Sequence, residues 1–176
     1  MGVDRPKPSR KLLSALTDGK WNTWQTPQPN NLRDRLIISL LGDSGMRLSE
    51  LASIKDGDMD WENYTITIVG KGNKQRKAPF TARTATMLRE YLNIGHTNRT
   101  IWDINRYGIQ TMLKRLAKET GIACNAHSFR RGFACNLHRK GLSTLDIMHL
   151  GGWEDLDMVL KYTRSITFED CLEQAL

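Results

Sequence analysis

The sequence predicts a mainly α-helical chain that carries one small antiparallel β-sheet, an α+β fold. Three observations predict it. Apolar residues return at three- and four-residue spacing through most of the 176 residues, the period of amphipathic helices. The period falls to two in Tyr64-Thr-Ile-Thr-Ile-Val69, and the turn Gly70-Lys-Gly-Asn73 then sends the chain back through Gln75 to Phe80. Capping residues and glycines punctuate the segments where helices need starts and stops.

In chain order, residues 1–30 read as a lead-in. Pro6 and Pro8 open it, Lys11 to Leu16 can form a short helix, and Trp21 and Trp24 stand in a Pro-bearing loop able to cover a core. Asn30 or Asn31 can cap a helix over Leu32 to Ser44, whose apolar set is Leu36, Ile37, Leu40 and Leu41. Gly42 and Gly45 bend or break it. A short helix from Arg47 or Ser49 to Ser53 offers Leu48, Leu51 and Ile54 to the core. After the hairpin, Thr81 caps a helix to about Leu92. Ile101-Trp102 is expected as a short third strand. Asn105 or Tyr107 opens a helix to Thr120, with Ile109, Met112, Leu113 and Leu116 inward. Helices follow over Ser128 to Lys140, over Thr144 to Leu150 behind Ser143, and from Asp155 or Asp157 through Tyr162. An acidic helix from about Thr167 to Ala175 closes the chain. The expected division is a lead-in over 1–30, a main domain over 31–165 and a tail over 166–176.

Composition narrows the function. Lys and Arg outnumber Asp and Glu 26 to 19, a net charge of +7, which favours a polyanionic partner such as nucleic acid. No apolar run approaches the roughly 18 residues of a membrane span, so no membrane partner is expected. Three cysteines without a C-x-x-C pair suggest reduced thiols and a cytoplasm-like compartment.

The residues that bear chemistry fall in four places. Arg47 and Glu50, three apart on a helix, can pair so that the carboxylate orients the guanidinium toward a phosphate. Read alone, they form a surface ion pair. Lys71 sits at a basic hairpin tip with Lys74, Arg76 and Lys77. Solvation is its ordinary fate, and proton donation to a leaving oxygen is the functional alternative. His127 and Arg130 share a helix face. Trp153 follows Gly151-Gly152, and its indole N–H can donate to a phosphate oxygen or simply pack. Tyr162, nine residues further, is either a core aromatic or a nucleophile. Two other patterns carry no chemistry. Gly42-Asp-Ser-Gly45 precedes every His, which is the wrong order for a chymotrypsin-like triad, and His127, His138 and His149 lack the spacing of a zinc site.

Taken in order, G-M-R-L-S-E-L, G-K-G-N-K-Q-R-K-A-P, H-S-F-R-R, L-G-G-W and Y-T resemble the catalytic domain of the tyrosine recombinases, the phage integrase family. The resemblance runs from about Asn31 to Arg164. It implies that fold and assigns Arg47 and Arg130 as the catalytic arginines, with Glu50 as supporting acid. Lys71 becomes the hairpin lysine, His127 the first His/Lys position and Tyr162 the nucleophile. Trp153 stands where many members carry a second His, which shifts that position toward hydrogen bonding and packing. The implied activity is site-specific recombination through a 3′-phosphotyrosyl intermediate, without metal, ATP or other cofactor. The implied partners are double-stranded DNA and further copies of the chain, assembled on DNA as a tetramer. The implied setting is prokaryotic or viral and cytoplasmic, in a mobile element or a chromosome-resolution system. Lys74, Arg76, Lys77, Arg131, Arg139 and Lys140 become candidate contacts to the DNA backbone. Type IB topoisomerase-like relaxation and non-catalytic DNA binding are the alternatives. Family members usually add an amino-terminal clamp domain. With about thirty residues before the first box, a catalytic half is expected here. The tail after Tyr162 can dock on a neighbouring subunit or on its own domain.

Overall fold

Helix α1 (Leu32–Ser44) is wrapped on nearly every side. Its expected stripe of Leu36, Ile37, Leu40 and Leu41 is fully buried, and Ile38, Ser39, Ser44 and Asp34 are buried with it. A helix apolar on more than one face belongs at the centre of a fold. The computed structural model describes residues 32–70, 75–95, 99–120 and 125–163. The expected lead-in helix, Lys71 and Lys74 at the hairpin tip, and the expected closing helix lie outside the described residues.

The elements around α1 follow in order. Helix α2 (Leu48–Ala52) and a 3-10 turn (Asp56–Asp58) lead to strand β1 (Met59–Asp60). Strands β2 (Thr65–Val69) and β3 (Gln75–Pro79) form the hairpin. Helices α3 (Ala82–Asn93), α4 (Arg106–Thr120), α5 (Ala126–Arg139), α6 (Thr144–Gly151) and α7 (Leu156–Thr163) complete the described chain. The sheet has the order β1-β2-β3 and is antiparallel throughout. Its register pairs Ile66 with Ala78 and Ile68 with Arg76.

Caps fix most boundaries. Thr81 accepts from the Thr84 N–H to start α3, as expected, and Asp43 on α1 accepts from the Thr81 N–H and from both threonine hydroxyls. Asn105 Oδ1 takes the Tyr107 and Gly108 N–H groups at the start of α4. Ser143 and Asp146 form a reciprocal capping box on α6. Asp155 Oδ1 accepts from the Asp157 N–H to open α7. One start differs from expectation. Helix α5 begins at Ala126, because Asn125 is its cap and accepts from the Ser128 N–H at 3.0 Å. His127 thereby lies within the first turn of the helix.

The third strand also differs. Ile101-Trp102 is not a strand, although both residues are buried. The Ile101 N–H donates to the Ile54 carbonyl at 3.0 Å, and the Trp102 indole donates to the Leu51 carbonyl at 2.6 Å. Those two bonds pin the segment to the end of α2 without a ladder. The third strand is β1 instead.

Two apolar clusters result. The larger joins α1, α2, the sheet, α3 and α4. The smaller is built from α5, α6, the α6–α7 corner and α7, and contains Phe133, Ala134, Ile147, Trp153, Val159 and Tyr162. The candidate chemistry lies along the seam between them. Among the described residues, no helix is long and apolar enough to cross a membrane.

Candidate active site

Glu50 is the pivot of the site on the larger cluster's side. It stands at the third position of α2 and reaches back to its start. One oxygen accepts from the Arg47 backbone N–H at 2.7 Å, the other from Arg47 Nη1 at 2.9 Å. A third donor is Arg76 Nη2, at 3.0 Å. Glu50 is buried, whereas the Arg47 side chain is 46% exposed and reaches toward solvent. Burial alone would raise the Glu50 carboxyl. The Arg47 hydrogen bonds and the Arg76 and Arg47 charges outweigh that and hold it below its ordinary 4.5. The expected pairing of Arg47 with Glu50 is present, with the acid serving two arginines rather than one.

Arg130 anchors the other side. It projects from α5 and is itself buried. Nη1 donates to the Gly45 carbonyl just past α1, and Nη2 to the Gly151 carbonyl at 3.3 Å. Its guanidinium lies over the Trp153 ring, 4.6 Å from the centroid. Burial, then the Arg47 charge, lowers its pKa to about 10, with Glu50 acting in the opposite sense. Arg130 therefore remains cationic at neutral pH.

The aromatic groups continue from there. Trp153 packs against Tyr162 in a tilted contact, ring centroids 5.6 Å apart, and Tyr162 packs edge-on to His127 at 5.2 Å. Tyr162 Oη is 3.4 Å from His127 Nδ1. The Tyr162 ring is buried at the last turn of α7, where the Tyr162 carbonyl accepts from the Cys135 thiol. The Trp153 indole N–H is buried and has no acceptor among the described residues. A buried donor in that state suits an incoming acceptor such as an anionic oxygen.

The glycine pair of L-G-G-W has a steric cause. A Cβ on Gly151 would overlap the six-membered ring of Trp153, so the indole lies flat on the backbone. Gly152 adopts φ +61, and a Cβ there would meet the Arg76 side chain. The corner between α6 and α7 is thus shaped around one indole and one guanidinium.

A cleft of about 710 Å³ opens beside these parts, bounded by Arg47, Glu50, Arg76 and Trp153 and by Val69 and Gly70 at the hairpin root. Arg130, Tyr162 and His127 adjoin it through their chain of contacts with Trp153. Lys71, one residue beyond Gly70, is outside the described residues.

The candidate DNA contacts divide. Arg76 is not an exposed cation like Lys77. It turns inward and donates to Glu50 and, through Nη1, to the Leu150 carbonyl at 3.2 Å. Strand alternation carries the signal: Ala78 is buried, and Arg76, two residues earlier, faces the same way. Lys77, on the outer face, is exposed and pairs with Asp60 at 3.1 Å. Arg131 is half-buried beside Arg130. Arg139 and Lys140 lie at the far end of α5, about 15 Å along the helix from Arg130. The Leu150, Gly151 and Gly45 carbonyls and the Cys135 thiol also went unread in the sequence, because backbone acceptors and buried thiols leave no pattern in residue type.

Comparison with known proteins places the chain. The family model described as the phage integrase family matches residues 9–167. Tyrosine recombinase XerC of Herpetosiphon aurantiacus is 29% identical over 180 residues, covering 92% of this chain and 59% of that protein. Tyrosine recombinase XerA of Saccharolobus solfataricus is 32% identical over 135 residues, 76% of this chain and 46% of that one. Among solved structures, a XerA recombinase superposes with a TM-score of 0.76 at 22% identity, over 98% of this chain and 65% of that one. XerH bound to a palindromic difH substrate in a post-cleavage complex gives 0.73 at 22% identity, over 95% of this chain and 51% of that one. The chain spans about half the length of the curated relatives it matches.

Proposed function

Because the chain belongs to the phage integrase family, we propose that it is the catalytic part of a site-specific tyrosine recombinase. In this reading it cleaves and rejoins DNA by transesterification. Tyr162 Oη attacks the scissile phosphorus, and the bond from phosphorus to the 5′ oxygen breaks. The products are a 3′-phosphotyrosyl chain and a 5′-hydroxyl. In this reading His127 Nδ1, at 3.4 Å from the phenol, takes its proton once the contact tightens on DNA. Arg130, Arg47 and the Trp153 N–H bind the nonbridging oxygens, where charge builds in the transition state. Lys71 supplies the proton to the leaving 5′ oxygen. Attack by that hydroxyl, or by one from a partner duplex, reverses the step and needs no nucleotide energy. These guanidiniums supply the positive charge for the phosphate, and the reaction is read as independent of metal and ATP.

Double-stranded DNA is the proposed substrate. The XerH and Tn1549 integrase structures that this fold resembles are complexes with DNA. Assembly on DNA as a tetramer, and action in the cytoplasm of a prokaryote or in a virus-infected cell, belong to the same reading. The observation that carries it is the continuous chain of contacts from Arg130 through Trp153 and Tyr162 to His127, with Arg47 lining the adjoining cleft. Few structural roles require a buried arginine, an unpartnered indole N–H and a phenol against an imidazole in one line. The test is a nicked duplex whose cleaved fragment diffuses away, incubated with chelator and without nucleotide. Wild type is expected to form a covalent band on a denaturing gel, and Tyr162→Phe none. Duplex binding by both proteins without any band would remove the catalytic reading and leave a DNA-binding protein.

A further inference from the structure

The geometry points to Arg76 as a positioning residue of the site, one that holds Arg47 and the Trp153 corner in register through its two guanidinium arms. The inference rests on the recombinase reading above. One arm donates to Glu50 Oε2 at 3.0 Å and the other to the Leu150 carbonyl at 3.2 Å. Through Glu50 it reaches Arg47, whose backbone N–H and Nη1 are held by the same carboxylate. Through Leu150 it reaches the carboxyl end of α6. There Arg76 and Arg130 take consecutive carbonyls, those of Leu150 and Gly151. The last carbonyls of a helix lack partners within it, and cations are favoured beside them. The next residues are Gly152, which lies under the Arg76 side chain, and Trp153, which packs against Tyr162.

Arg76 is thus the one described side chain bonded both to the carboxylate that orients Arg47 and to the helix end that carries Trp153. Both terminal nitrogens are taken by protein acceptors, while the buried Nε has no acceptor among the described residues. Its side chain is only 18% exposed, against 46% for Arg47. A Lys cannot replace it, because one ammonium on a flexible stem does not span two acceptors in a planar fork.

The test uses the full chain with Arg76→Lys and Arg76→Gln. Two nicked duplexes on which adducts form are compared, one with an ordinary scissile phosphodiester and one with a methylphosphonate there. The methylphosphonate lacks the charge that an oriented Arg47 neutralises. Both variants are expected to form adduct at least about tenfold more slowly on the phosphodiester, as displaced catalytic groups do. On the methylphosphonate the deficit is expected to shrink to within about threefold, because the lost orientation no longer matters. Duplex affinity on a native gel should stay within about threefold of wild type, since no backbone contact is removed.

An equal loss on both substrates would make Arg76 a residue of the fold alone and overturn the assignment. A loss of affinity matching the loss of rate would make it a direct DNA contact and overturn it equally. Circular dichroism identifies a variant that has not folded, in which case the milder Arg76→Lys carries the test. Failure of both to fold again assigns Arg76 to the fold alone. No adduct from wild type on any duplex removes the recombinase reading, and this inference with it. An adduct from wild type with unaffected variants removes this inference only.

Discussion

Glu50→Gln is expected to lower stability by about 2 kcal/mol at neutral pH and to lose that penalty in acid. Glu50 is buried and accepts three hydrogen bonds, from the Arg47 N–H, Arg47 Nη1 and Arg76 Nη2. A hydrogen bond to a buried charged group contributes roughly 1.5 kcal/mol net. The exposed Arg47 guanidinium adds only a fraction of that because water screens it. Gln keeps the shape and one acceptor for the Arg47 N–H. It loses the charge that Arg76 needs, which leaves about 2 kcal/mol. For a chain of this size the unfolding midpoint should fall by about 4–8 °C. The pH dependence follows from linkage. The folded Glu50 carboxyl sits below its ordinary 4.5, so its contribution is fully present above pH 4.5 and disappears as pH falls through the folded value. Gln takes up no proton, so the wild-type and variant urea-unfolding free energies should converge below pH 4.5. A difference that is absent at pH 7, or that stays constant from pH 7 into acid, would refute this account of Glu50.

Three other substitutions probe different parts of the site. Gly151→Ala places a methyl into the Trp153 ring, and overpacking of that kind costs about 1–3 kcal/mol. It should lower the thermal midpoint and suppress adduct formation together. Asn125→Ala removes the cap of α5 and should cost about 1 kcal/mol in urea unfolding while leaving Tyr162 able to form adduct. Arg130→Lys should reduce the single-turnover cleavage rate by about two orders of magnitude, the range seen when one preorganised donor is lost. One ammonium cannot reach both the Gly45 and Gly151 carbonyls while keeping the face-on contact with Trp153.

Much of this site was legible because its parts are residue types in a fixed order. Arg47 with Glu50, His127 with Arg130, Gly-Gly-Trp153 and Tyr162 each had an ordinary structural reading alone, and their sequence of boxes gave the resemblance. Helix α1 was legible from its apolar stripe, although its burial on further faces was not, since Asp34, Ser39 and Ser44 look solvent-facing by type. Arg76 was grouped with the basic hairpin tip because K-Q-R-K reads as uniform charge, whereas the pleat separates inward Arg76 from outward Lys77. Ile101-Trp102 looked like a strand because burial and β-propensity were present. What it lacked was a neighbouring strand, and Ile54 and Leu51 carbonyls supplied its hydrogen bonds instead. The true third strand, Met59–Asp60, is too short to show any period. The two fates offered for Tyr162, core aromatic or nucleophile, are compatible in the fold. Its ring belongs to the smaller apolar cluster while its hydroxyl faces His127.

The most direct test of the central claim is to find the atom that becomes bonded to DNA. Wild-type protein would be trapped on a nicked duplex, digested with nuclease and protease, and sequenced by tandem mass spectrometry. The account predicts one nucleotide-phosphate adduct, on the phenolic oxygen of Tyr162, lost in Tyr162→Phe. An adduct on any other side chain, or one that persists in Tyr162→Phe, would contradict it.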